Sequence, residues 1–109
     1  MKILVTGSRP YTDGFEIQST LLSYYEEMKG EIIEVHRNET GSAESIAGFL
    51  CRQHADLGLV DMPAPGFYDL ASFRALHVFL QEGADRRRAD RMIAWAKAAG
   101  ILVEITTTE

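Results

Sequence analysis

The sequence predicts an α/β protein: a compact, Rossmann-like, doubly wound sheet of five mostly parallel strands with helices on both faces. Three observations carry this. Short apolar runs rich in β-branched residues recur along the whole chain, at KILVT (2–6), EIIEVH (31–36), LGLVD (57–61), ALHVFLQ (75–81) and ILVEIT (101–106). Most are separated by segments whose apolar residues repeat every three or four positions, as on one face of a helix. Strand alternating with helix is the order of βαβ units, and right-handed crossovers then make the strands parallel and cover the sheet on both sides.

The first strand is β-branched at Ile3 and Val5 and closes at Gly7. A helix is expected over 13–28. Asp13 stands where an N-cap belongs, and Glu16 three residues later completes a capping box. Ile17, Leu21, Tyr24 or Tyr25, and Met28 form its apolar stripe, and Gly30 supplies the stop. After the second strand the polar turn RNETGSAE leads into a helix reaching about His54, with Ala43, Ile46, Ala47, Leu50 and His54 along one face. The third strand is followed by MPAPGF, a loop by virtue of its two prolines, and by a weak helical turn at 69–73. The fourth strand precedes a helix from Asp85 to Ala99, striped by Ala89, Met92, Ile93, Ala96 and Ala99 and ended by Gly100. The fifth strand closes the fold.

At 109 residues the chain fits a single domain, 1–109, with one core. Its apolar share of 46% and charged share of 25% are those of an ordinary globular protein, and 9 Gly with 3 Pro are too few for a linker-rich chain. A net charge of −5 argues against duplex nucleic acid as partner, because that surface demands many cations. It leaves room for a small anion held by a local arginine cluster. Cys51 is the only cysteine, so no internal disulfide forms, and within a helical pattern it reads as a buried, inert thiol. No apolar stretch has the length of a signal sequence or a membrane span, so no membrane partner and a cytoplasmic location are expected, in a bacterium or in the host of a phage.

In doubly wound sheets ligands sit beyond the carboxyl ends of the strands, where the strand order reverses. Three turns there draw attention. At Gly7-Ser8-Arg9, glycine permits close approach, Ser8 and nearby amides can donate to phosphate oxygens, and Arg9 can grip a phosphate with two parallel hydrogen bonds. The plain alternative is a simple turn beside a solvated arginine. Tyr11 is either a stacking surface for a base or an ordinary surface tyrosine. In the second turn His36 ends the strand, and Gly41 and Ser42 open a helix whose unpaired amides attract anions; an ordinary N-cap completed by Glu44 is the more frequent reason for such a pattern. In the fourth turn Arg86, Arg87, Arg88 and Arg91 crowd a helix start, where cations oppose the helix dipole. Arg86 and Asp90, four apart, also fit a solvated salt bridge. Neither GxGxxG nor a P-loop is present. His36, His54 and His77 lack metal-type spacing, so neither a metal nor a cofactor is expected.

A strand followed by VTGSRPYTD, a second strand ending in histidine before a Gly-Ser-Ala-Glu-Ser helix start, and the closing WAKAAGILVEI together resemble the SLOG superfamily, in its YpsA-related branch of bacterial and phage proteins. The resemblance spans nearly the whole chain, and the GSR turn is its most specific part. It implies a pocket for nucleotides or nucleotide-derived ligands built from Gly7, Ser8 and Arg9, then His36, Gly41, Ser42 and Glu44, then Gly83, to which the cluster adds Arg86 and its neighbours. The chain departs from the family pattern at Arg37, where a glycine is usual, at Glu44 in place of Asp, and at Glu82-Gly83-Ala84-Asp85, a reduced fourth turn. It lacks the PGGxGTxxE motif of related phosphoribohydrolases, so no catalytic residue carries over.

Three functions follow as expectations. The first is capture of a nucleotide-derived small molecule without turnover, as a sensor or a sequestering module. The second is a degenerate SLOG fold that contacts another protein, such as a host protein. The third is a nucleotide N-glycosidase or phosphohydrolase using Glu44 or Glu39 as general base. A homodimer or larger assembly is also expected, with Trp95, Phe73 and Tyr68 as apolar surface.

Overall fold

The computed structural model describes residues 1–29, 31–37, 42–63 and 70–109. The elements run β1 (Lys2–Gly7), α1 (Gly14–Glu27), β2 (Ile33–Arg37), α2 (Ser42–Gln53), β3 (Leu59–Pro63), β4 (Ala75–Gln81), α3 (Arg87–Ala98) and β5 (Leu102–Thr108). Two single 3-10 turns, Ala55–Leu57 and Leu70–Ser72, lie in the connections. The five strands form one sheet in the order β3-β2-β1-β4-β5, and every pairing is parallel. The expected α/β architecture is thus present, with a wholly parallel sheet.

Strand register divides the core into two layers. Ile3, level with Val35 and Ala75, and Val5 face one side, where they meet Ile17 and Leu21 of α1 and Ala43, Ala47 and Leu50 of α2. Leu4, Leu76, Val78 and Leu80 face the other side and pack against Ala89, Met92, Ile93 and Ala96 of α3. The central strands are apolar on both faces because both are covered. This layering follows from the direction of travel. The chain moves from β1 outward to β3, then returns to β4 on the far side of β1, and a right-handed crossover in the reversed direction places its helix on the opposite face.

Some boundaries hold and others shift, for local reasons in the helices and β3 and for pairing with a neighbouring strand in β5. The helix α1 starts as expected, since Asp13 Oδ1 accepts from the amides of Phe15 and Glu16 at 3.1 and 3.3 Å. The helix α3 begins at Arg87 rather than Asp85: Arg86 takes the N-cap position, and Asp85, one residue before it, turns the chain with its Oδ1 accepting the Arg87 amide at 2.9 Å. The strand β3 begins two residues late, because Leu57 closes a 3-10 turn and Gly58 follows in the left-handed region at φ 84°. The strand β5 runs on to Thr108, since Thr107 and Thr108 pair with Leu80 and Gln81 although their side chains carry no strand pattern.

Buried polar groups are mostly accounted for. The His77 imidazole meets the Tyr24 hydroxyl at 2.6 Å through Nε2, with Glu104 at 3.7 Å from Nδ1. Cys51 is fully buried, and desolvation pushes its thiol up to about 12. None of the described helices is long and apolar enough to cross a membrane.

Candidate functional site

The strand order reverses between β1 and β4, and the chain beyond the carboxyl end of β1 builds one wall of a cleft. Gly7 is where it is for packing: a Cβ there would overlap the Phe79 carbonyl oxygen and lie 2.7 Å from Ala43 Cβ. Only glycine lets β1, β4 and α2 come this close. Ser8 is buried and braces the turn. Its amide donates to Phe79 O at 2.9 Å, its hydroxyl oxygen accepts from the Gln81 amide at 2.9 Å, and its carbonyl accepts from Tyr11 N at 3.2 Å. The Ser42 amide, first of α2, donates to Arg9 O at 3.1 Å. The amides of Ser8 and Ser42, which a phosphate cradle at this turn would use, thus brace the turn itself. Arg9 is exposed, and its guanidinium has no hydrogen bond or ion pair among the described residues.

The other wall is the first turn and a half of α3. Arg88 is the residue that bridges the walls. It donates to the Gly7 carbonyl at 2.6 Å and pairs with the Glu44 carboxylate at 3.1 Å. Glu44 is fully buried in the first turn of α2, where its charge also suits the helix dipole. Around this strut the remaining arginines differ sharply. Arg87 is gripped by Asp85 at 2.6 Å, which holds that carboxyl down to about 2. Arg86 pairs with Asp90 at 3.2 Å, four residues on. Arg91 is exposed, with no ion pair among the described residues.

The resulting cleft, about 850 Å³, is bordered by Gly7, Arg9 and Pro10 on one side and by Arg87, Arg88 and Arg91 on the other, with Asp85 and Asp90 at the rim. Four arginines against two aspartates make it a cationic spot on a chain of net charge −5. Its size is that of a small-molecule site.

Of the residues singled out from sequence, Gly7 and Arg9 border this cleft. Ser8, Ser42 and Glu44 stand directly behind it, holding the wall together. Tyr11 does not present a ring to solvent. It is fully buried against Phe79, with its hydroxyl 3.1 Å from Thr108 Oγ1. His36 faces the α3 side of the sheet, edge-on to Phe73 and 3.0 Å from Glu34. Gly83 turns the chain after β4 at φ 83°, a conformation that glycine adopts without strain. Arg86 takes the salt-bridged reading. Gly41 and Glu39 lie outside the described residues, as does Tyr68. Phe73 is buried, while Trp95 is 57% exposed. No group of three or more His, Cys, Asp or Glu is placed to hold a metal among the described residues.

Sequence reasoning saw the arginine run but chose Arg86. Helical phase does not separate the two, since Arg86 and Arg88 both flank the buried stripe; what separates Arg88 is tertiary, its reach to the Gly7 carbonyl and to Glu44. Arg37, where the resembled family has glycine, is folded onto α2. It grips Asp61 at 2.8 and 2.9 Å, its guanidinium lying where a Cβ on Gly48 would fall.

No family model, curated protein or solved structure matches the chain.

Proposed function

We propose that the protein binds a nucleotide or nucleotide-derived small molecule in the cleft between the β1 turn and α3, without turning it over. The observation that supports this best is the concentration of Arg9, Arg87, Arg88 and Arg91 around one small-molecule-sized cleft at the switch point of a parallel sheet. Guanidinium groups match phosphate oxygens in charge and geometry. The resemblance to SLOG proteins points to the same class of ligand.

The carboxylates near the cleft favour binding over catalysis. A general base at neutral pH needs a free carboxylate of raised basicity within reach of substrate. Asp85 is held low by Arg87, Asp90 is paired with Arg86, and Glu44 is buried behind Arg88.

A thermal-shift panel of nucleoside mono-, di- and triphosphates and cyclic nucleotides tests the reading. A ligand at 100 times its Kd adds about 2.7 kcal/mol, a rise of roughly 10 °C for a chain this size. Arg9→Ala should abolish the rise, and mass spectrometry of the incubated ligand should recover it intact. A panel with no shift at millimolar ligand overturns the binding reading, and a cleaved ligand replaces it with an enzymatic one.

A further inference from the structure

Resting on the reading of the cleft as a nucleotide site, we infer that its ligand carries at least two anionic groups, as a diphosphate does, and that Arg9 and Arg91 are the cations that pair with them. Elimination over the cationic side chains that border the cleft leaves these two. The amides of Ser8 and Ser42 are committed within the fold, and the Ser8 hydroxyl, on a buried side chain, accepts from the Gln81 amide. Arg87 is committed to Asp85, and Arg88 to the Gly7 carbonyl and Glu44. Arg9 and Arg91 remain, one from each wall, exposed and without an ion pair among the described residues.

Two like charges facing one cleft repel each other, and a single anionic group neutralises only one of them. A ligand with two anionic groups neutralises both, and the cleft has the volume for two phosphates and more. Because both cations are exposed, their pairs with ligand are screened by salt, so affinity should fall as ionic strength rises. The rest of the chain is net acidic, so these two positions must supply the local attraction for a polyanion.

The test is titration calorimetry at low salt with inorganic phosphate, inorganic pyrophosphate, and the mono-, di- and cyclic monophosphates of adenosine and guanosine. The proteins are wild type, Arg9→Ala, Arg91→Ala and, as a charge control remote from the cleft, Lys97→Ala. The expected result is that diphosphates bind about tenfold or more tightly than cyclic monophosphates, the scale of one additional charge-assisted contact. Pyrophosphate should exceed phosphate likewise, and Arg9→Ala or Arg91→Ala should erase the preference while Lys97→Ala keeps it. Equal binding of cyclic and diphosphate nucleotides, or a preference that survives Arg91→Ala, overturns this inference and leaves the nucleotide reading standing. A preference for pyrophosphate with no nucleotide bound more tightly overturns the nucleotide reading instead. Absence of any binding overturns both.

Discussion

Arg88 of α3 donates to the main-chain carbonyl of Gly7, the last residue of β1, at 2.6 Å. This one contact ties the helix on one face of the sheet to the strand at its centre. Glu44, from the helix layer on the other face, pairs with the same guanidinium at 3.1 Å. Three elements distant in sequence thus share one cation at the cleft wall.

Arg88→Met should keep the packing of the side-chain stem and remove the charge beside a buried carboxylate. Loss of one partner from a buried ion pair costs about 3 kcal/mol. Urea unfolding should show a lower midpoint with an unchanged slope, and adding Glu44→Gln should recover part of the loss. If Arg88→Met unfolds at the wild-type midpoint, the strut carries no stability.

Gly7→Ala forces a methyl group into the Phe79 carbonyl and Ala43. The neighbours are backbone and a helix, so neither yields cheaply, and about 2–3 kcal/mol should be lost. Gly83→Ala meets no neighbour within 4 Å but is strained at φ 83°, so its smaller loss, about 1 kcal/mol, arises from backbone conformation alone. Thermal melts of the two variants should rank in that order.

Thr6 carries a buried hydroxyl that has no hydrogen-bond partner among the described residues. Thr6→Val keeps the shape and the β-branching and removes the unsatisfied group. The variant should be more stable by about 1 kcal/mol, seen as a raised Tm. A fall in Tm would mean that the hydroxyl is satisfied in solution.

His77 is pushed below its ordinary 6.5, chiefly because burial disfavours the charged ring; the Glu104 carboxylate opposes this in part, and the Tyr24 hydroxyl occupies Nε2. The unfolded chain therefore binds a proton at a higher pH than the folded one. Between pH 6.5 and the folded value the unfolded state holds more protons, so stability falls as pH drops below 6.5 and is independent of this group above it. Denaturant midpoints of wild type and His77→Gln across pH 5 to 8 isolate the effect from His36 and His54. Parallel curves for the two proteins would assign no such role to His77.

Cys51 is fully buried with its thiol raised to about 12, so almost no thiolate exists at neutral pH. In native buffer it should resist a thiol reagent that labels it fully in denaturant. Fast native labelling would mean that α2 opens readily.

The chain order of five strands and three helices was legible because each element announces its own period. Ile3 and Val5, or Met92, Ile93 and Ala96, bury one face whatever surrounds them. The caps were legible too, since Asp13 acts on amides two and three residues away. Boundaries slipped where a partner strand decided them, as at Thr107 and Thr108, which extend β5 only because β4 offers carbonyls and amides alongside.

The site divides along the same line. Sequence by itself determined that a glycine turn with Arg9 ends the first strand and that arginines crowd the start of α3, because composition and position along the chain are local facts. Tertiary structure alone decided which of those groups face the cleft free and which are consumed. It buried Tyr11, packed His36 against Phe73 away from the cleft lining, gave Arg86 and Arg87 to aspartates and used the Ser8 amide to brace its own turn. Such assignments depend on distances between residues up to 97 positions apart, as in Tyr11 and Thr108, and pairing across such spans is fixed only once the sheet has closed.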